Sequence, residues 1–275
     1  MHSPNYPFAV RLIGFSAPEA GELCAALALA PLAGPSYFCL LEDSLQEPDL
    51  SIVNGDDLGA LAALSAAKPC GIAPALLIGQ GAPTLPFPQL ARPLEAARLH
   101  PLLAGLIVQR AQALALLNAR GMAPVVERRR HARLDIDRTD PLLHEQRRQQ
   151  APTGAILIVD KGGAFRDHVA KVLGARRLPV EWTDSAGAAV RLCDETQVSV
   201  LMINTSTPQV DPYRLCADVK GLAAACRTAV VFLVGRSFRY DAPRARAAGV
   251  RGLLDKPVAD RHLYAAITKL MSLPA

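Results

Sequence analysis

Three stretches in the C-terminal half place polar side chains directly after apolar runs. Ala155–Asp160 reads Ala-Ile-Leu-Ile-Val-Asp and is followed by Lys161. Val198–Ile203 leads into Asn204, with Pro208 and Asp211 just beyond, and Gly252–Leu254 leads into Asp255, Lys256 and Pro257. Such groups at neighbouring strand ends can make an electrostatic site, but the neutral amide of Asn204 is no nucleophile. Asp160, Lys161 and Lys256 sum to about +1, which repels a divalent cation. Asp160 is expected to pair with Lys256 or Lys161, either locking the pocket in one state or only satisfying two charges at a strand edge.

A second constellation is basic. Arg120–Gln150 holds eight arginines against five acids, densest in Glu127-Arg128-Arg129-Arg130-His131-Ala132-Arg133. Guanidinium forks suit phosphate oxygens and guanine edges, and Arg129 and Arg133 are spaced to clamp them; a solvated linker face is the competing reading. Arg236, Arg239, Arg244, Arg246 and Arg251 add another basic stretch. No helix-turn-helix, zinc or RNP pattern accompanies these arginines, and no aromatics interleave them for stacking, so nucleic acid is disfavoured. The six cysteines (Cys24, Cys39, Cys70, Cys193, Cys216 and Cys226) include no C-x-x-C pair. Zinc and redox motifs need that short spacing, so unpaired thiols, no metal and no cofactor are expected.

The elements that must carry these residues alternate. In the C-terminal half Ala155–Asp160, Val180–Thr183, Val198–Ile203, Ala229–Val234 and Gly252–Leu254 read as strands. Helical stretches Phe165–Leu173, Ala186–Cys193, Tyr213–Leu222, Pro243–Ala248 and Asp260–Met271 fall between and after them. Alternation of this kind predicts a parallel doubly wound sheet whose working crevice lies beyond the carboxyl ends of its strands, where Asp160, Asn204 and Lys256 sit. The N-terminal half repeats the pattern less well. Strands are read at Phe8–Gly14, Leu50–Val53 and Pro74–Ile78, and helices at Pro18–Ala30, Leu58–Ala67 and Leu94–Asn118, the last open to a break at Pro101. Short connections imply that the second and fourth helices of a five-unit fold are trimmed or missing. With 275 residues, half of them apolar, the chain can form two cored domains. The expected division is 1–119, an Arg-rich linker at 120–153 with helical pieces around Pro141–Gln149, and 154–275. The N-terminus lacks the marks of a signal peptide, and no uncharged apolar run approaches the ~18 residues that span a bilayer, so a soluble cytoplasmic protein without membrane insertion is expected.

These motifs resemble those of response-regulator receiver domains over Ala155–Leu270: Ile-Leu-Ile-Val-Asp160, Asn204-Thr-Ser-Thr-Pro208-Gln-Val-Asp211 and Leu-Leu-Asp-Lys256-Pro257. The resemblance implies an Asp phosphoacceptor at the end of the third strand, two acids holding Mg²⁺, a Ser or Thr ending the fourth strand, and a Lys. Here the acceptor place holds Asn204, the acidic pair is Asp160-Lys161, the hydroxyl place holds Val234, and the switch aromatic before the Lys is Leu253. Only Asp160 and Lys256 of that working set remain. The N-terminal half resembles a more degenerate receiver. Asn54 stands in the acceptor place, Gly14 and Phe15 in the acidic pair, Gly79 at the hydroxyl and Arg92-Pro93 at the Lys-Pro. Asp56 and Asp57 read as a helix N-terminal signal. The Arg129-x-x-x-Arg133 spacing is similar to the opening of PilZ domains, which bind cyclic di-GMP, although the β-barrel and second motif of that family do not follow.

The expectation is two flavodoxin-like, receiver-like α/β domains around a basic linker, acting as a non-enzymatic signalling adaptor. Its state would be set by sequence rather than phosphorylation, and its partners would be proteins, a second copy among them. The linker and the basic face of the second domain are the expected docking surfaces. A cyclic di-GMP effector using Arg128, Arg129, Arg130 and Arg133, and a DNA-associated regulator, are the alternatives.

Overall fold

The computed structural model describes residues 7–29, 34–81, 85–120, 154–174 and 178–271. The chain divides into two compact units, one of residues 1–41 and 47–136, the other of Glu42–Gln46 and Asp137–Ala275. The Arg128, Arg129, Arg130 and Arg133 cluster, like the helical pieces read around residues 141–149, lies outside the described residues.

The first unit holds β1 (Phe8–Ile13), α1 (Ala17–Ala28), β2 (Tyr37–Cys39), β3 (Leu50–Asn54), α2 (Leu58–Ala67), β4 (Ala75–Ile78), β5 (Gln89–Leu90) and α3 (Ala96–Ala119). Its strands form one parallel sheet in the order β2-β1-β3-β4-β5. One face buries Val10, Ile52, Leu76 and Ile78 against Leu23 and Leu27 of α1 and Leu99, Leu103 and Leu106 of α3. The other buries Val53, Ala75 and Leu77 against Ala60 and Leu64 of α2. That second face is thin for the reason the connections suggested: among the described residues no helix joins β2 to β3 or β4 to β5. Leu58–Ala67 is a helix as read, with Asp57 capping it by accepting from Gly59 N–H at 2.8 Å.

Helix α3 runs unbroken through Pro101. Proline removes one backbone hydrogen bond near the helix start, and burial of Leu99, Leu103 and Leu106 offsets that loss. By length and composition α3 could cross a membrane, since its charges are few. Arg110 interrupts its apolar run and reaches the buried Asp49, Nη2 to Oδ1, at 3.0 Å. Asp49 in turn accepts from the Ala9 N–H at 2.9 Å, so an ion pair anchors α3 beside β1.

The second unit holds β6 (Ala155–Val159), α4 (Ala164–Leu173), β7 (Val180–Thr183), α5 (Ala186–Glu195), β8 (Val198–Asn204), α6 (Pro212–Gly221), β9 (Ala229–Val234), α7 (Ala242–Ala248), β10 (Gly252–Asp255) and α8 (Asp260–Leu270). The sheet order β7-β6-β8-β9-β10 repeats that of the first unit. Period-two alternation sends Leu157, Val159, Leu201 and Ile203 to a core with α5, α6 and α7. Ile156, Ile158, Val200 and Met202 face a second core with α4 and α8. Continuous apolar strands are what a parallel sheet covered on both faces requires. The edge of β10 is occupied by Glu42–Gln46: Ser44 bridges Leu253 in parallel, Leu45 N–H donates to Leu253 O at 2.8 Å, and Asp255 N–H donates to Gln46 Oε1 at 2.9 Å. Edge N–H and C=O groups that would template foreign strands are thereby paired.

Candidate functional site

In the second unit β6, β8 and β10 bring Asp160, Asn204 and Lys256 together. The ion pair expected between Asp160 and Lys256 does not form directly, because the Asn204 amide lies between them. Asn204 Nδ2–H donates to Asp160 Oδ1 at 2.6 Å, and Lys256 Nζ donates to Asn204 Oδ1 at 2.6 Å. A carboxylate only accepts and an ammonium only donates, so the amide orientation follows from its two partners. Asn204 Oδ1 also accepts from Ser206 N–H at 3.0 Å, closing an Asx turn after β8.

Asp160 is held from three further directions. Its Oδ1 accepts from Lys161 N–H at 2.7 Å, its own N–H reaches Thr183 O at 3.1 Å, and its carbonyl accepts from Trp182 Nε1–H at 2.9 Å. The Lys161 side chain is exposed and adds charge rather than a contact. Burial pushes the Lys256 ammonium pKa down; Asp160 opposes this and Lys161 adds to it. Val234 is buried at the end of β9, and its carbonyl accepts from Lys256 N–H at 2.8 Å. Leu253 is fully buried within the α5–α6–α7 core. Asp211 caps α6 through Tyr213 and Arg214 N–H, at 2.9 and 3.2 Å, and binds Arg244 at 3.0 Å.

The magnesium ion that receivers hold does not fit these residues. Asp160 Oδ1, the oxygen facing the acceptor place, already accepts two N–H groups, and the amide presents N–H where a cation needs oxygen. Among the described residues no group of three or more His, Cys, Asp and Glu side chains could hold a metal ion.

The first unit repeats the amide with different partners. Asn54 Nδ2–H donates to Gly14 O at 2.9 Å, and Asn54 Oδ1 accepts from Asp56 N–H at 3.1 Å, the same Asx turn as at Asn204. Arg92 Nη2–H donates to Asn54 Oδ1 at 3.2 Å, as Lys256 does to Asn204. Both Arg92–Pro93 and Lys256–Pro257 are cis. Arg92 also binds Glu19 Oε1 at 2.6 Å and Asp56 Oδ2 at 3.4 Å. Asp56 thus departs from its reading as a helix signal. Its Oδ1 gathers Gln80 and Gly81 N–H, each at 2.9 Å, and these two bonds lead in holding its pKa low. Gly79 has φ +123°, and a Cβ there would stand 2.3 Å from Asp56 Oδ2, so the place read as a lost hydroxyl is a loop folded around that carboxylate. Gly14 has φ +79°, with a Cβ's place 2.3 Å from Ala60 Cβ, which excludes an acidic pair there. Phe15 packs against the α1–α3 core.

Glu19 and Trp182 were not singled out from sequence. A Ser16-x-x-Glu19 capping box was legible, but its tie to Arg92, far along the chain, was not. Trp182, the one tryptophan, carried no local signal.

Residues 156–268 match the family model of the response regulator receiver domain. The second unit is therefore a receiver-type signalling domain, the kind that two-component systems use, and the match does not extend into the first. No curated protein matches the chain. Among solved structures the chain is similar to the receiver domain of a histidine kinase from Syntrophus aciditrophicus, at 26% identity over 43% of this chain and 90% of that one, TM-score 0.39. A CheY-like receiver domain protein from Methanospirillum hungatei JF-1 matches at 20% identity over 43% and 94%, TM-score 0.39. The receiver domain of a sensor histidine kinase from Pseudomonas aeruginosa PAO1, solved with magnesium in its active-site cleft, matches at 17% identity over 43% and 98%, TM-score 0.39.

Proposed function

We propose that this protein is a cytoplasmic, non-enzymatic signalling adaptor whose receiver-type domain works through protein contacts and without aspartyl phosphorylation. The observation that carries this reading is the amide of Asn204, hydrogen-bonded on one side to Asp160 and on the other to Lys256. A receiver switches when charge arrives on a carboxylate at this place. Here a neutral group bridges the acid and the base, so the pocket rests in a state that needs neither metal nor phosphoryl group. The exposed Arg236, Arg239 and Arg251 support an acidic protein surface as the partner's chemistry.

The test is incubation of the full chain with acetyl phosphate and Mg²⁺, and separately with beryllofluoride and Mg²⁺. Unchanged intact mass and unchanged amide spectra are expected. A hydroxylamine-labile phosphoryl adduct on this chain would overturn the reading.

A further inference from the structure

Helix α3 is covered on one side only. Leu99, Leu103 and Leu106 turn into the core of the first unit, and Arg110 on the same side reaches Asp49. Down the opposite side run Pro101, Gly105, Val108, Gln112, Ala115 and Ala119, all exposed, at alternating steps of four and three residues. Val108 in this seam is 55% exposed and Leu116 beside it 60%. Alternating steps of this kind are how one helix meets another along its length.

Gly105 gives the seam a second mark. Glycine in the middle of a helix loosens it, and nothing within the unit calls for one here, since a Cβ at Gly105 would meet no atom within 4 Å. A second helix lying close over the seam supplies the missing reason, because Gly105 and Ala115 let two backbones approach.

The character of that second helix follows from charge and spacing. The seam bears no charge, and α3 as a whole contains no acid. A charged partner would be desolvated there without gaining an ion pair, whereas another uncharged seam matches it. The chain's own α3 is such a seam, and it is self-complementary when antiparallel. About a two-fold axis at the level of Arg110, Pro101 meets Ala119, Gly105 meets Ala115 and Val108 meets Gln112 of the second copy. Leu116 then overlies the small Ala104. A parallel pair would instead set Gly105 on Gly105, leaving a void, and would align the two helix dipoles. The contact, about 27 Å long from Pro101 to Ala119, falls near the roughly 1,000 Å² at which specific association begins, so it suits a reversible dimer.

We propose that α3 is a dimerisation helix, and that two copies of this chain associate by packing their α3 seams antiparallel about a two-fold axis. The surface lies on the first unit, apart from the amide-bridged pocket, so the phosphoryl-transfer test and the one below fail independently.

Sedimentation velocity of the full chain from about 1 to 100 µM tests the proposal. The mass should rise with concentration from 29.2 kDa towards twice that value. Gly105→Leu puts a better helix former into open space, so thermal unfolding of the dilute chain should be unchanged or raised. The same variant should weaken the dimer at least about tenfold, because the two backbones can no longer approach. A merely structural role for Gly105 would not separate these two readouts. Val108→Lys and Gln112→Glu should each weaken association about tenfold, and the double variant should regain most of the loss, because the antiparallel register sets the two new charges against each other. A chain that stays at 29.2 kDa throughout overturns the proposal. So does a chain that stays monomeric but co-sediments with phosphatidylglycerol vesicles, which would assign the seam to a lipid surface. A dimer left intact by Gly105→Leu would place the contact elsewhere and overturn it as well. Failure of the double variant to recover would overturn the antiparallel register.

Discussion

The two strand-end sites put the same side chain to the same local use and surround it differently. Asn54 and Asn204 each accept an N–H two residues on, and each accept from a base that precedes a proline. What differs is the acid. At Asn204 it is the neighbouring strand's own Asp160, in a site where the amide is only 5% exposed. At Asn54 that neighbour is Gly14, and the acids come instead from α1 (Glu19) and the loop after β3 (Asp56), around an Arg92 side chain 41% exposed. The amide is thus a structural solution to the end of this strand before it is a lost nucleophile. Asp could make the Asx turn, but only Asn also donates to the acid or carbonyl opposite.

The largest effect expected from breaking this symmetry comes from forcing the first acid of the pair onto the first site. Gly14→Asp needs a Cβ at φ +79° and 2.3 Å from Ala60 Cβ, a clash with the body of α2 rather than with a flexible tip. Urea denaturation should show a loss of about 3 kcal/mol. In the second site the place of Gly14 already holds Asp160, and Lys161→Asp, which would complete the pair there, alters an exposed side chain and should stay within about 0.5 kcal/mol.

Asn→Asp at the two acceptor places comes next. Asn204→Asp replaces a donor with a second carboxylate 2.6 Å from Asp160. The new charge gains Lys256, which offsets part of the repulsion, and a net loss of about 2 kcal/mol at pH 7 is expected. Lowering the pH to the point where the two carboxylates share a proton should recover part of it. Asn54→Asp faces the Gly14 carbonyl instead and gains Arg92, so its loss should be about 1 kcal/mol or less. Equal losses at the two sites would show that the acid opposite is not what separates them.

Removing the bases tests a smaller difference. Lys256→Met discards a cation whose burial already disfavours its charged form, and Asn204 keeps Ser206 N–H as a donor. Arg92→Met discards exposed ion pairs. Both should cost about 1 kcal/mol or less, measured by the same denaturation.

Much of this arrangement was legible before the fold was known, and the part that was not has physical causes. Every strand of the second unit was read within about a residue of its ends, and for β6, β8, β9 and β10 the reason is that a parallel strand buried on both faces must be a continuous apolar run. The same logic missed β2 and β5, which at three and two residues are too short to show a period. Asn204 and Asp160 were found because each directly follows such a run, and Lys256 because it stands one residue beyond another. That the amide would stand between the two charges, in place of a direct pair, depends on side-chain reach across β8 and has no signature in spacing. Glu42–Gln46 carries polar residues and no alternation, so its pairing with β10 could not be read.

The finest distinction concerns what holds Glu19 ionised. Its pKa falls from the ordinary 4.5 to about 2, led by the Ser16 hydroxyl, then the Ser16 backbone N–H, with Arg92 third. A carboxyl with a depressed folded pKa contributes stability that is present above its unfolded value and lost as pH falls through the folded one, so this contribution fades between 4.5 and about 2. The ordering of causes separates the cap from the site. Ser16→Ala removes the hydroxyl bond at 2.7 Å and should raise the Glu19 pKa more than Arg92→Met, which removes the Arg92 contact at 2.6 Å. Carboxyl carbon shifts followed by NMR through this pH range would rank the two. A larger rise in Arg92→Met would mean that the first site, rather than the start of α1, sets the charge of Glu19, and the two strand ends would then be closer in kind than their exposure suggests.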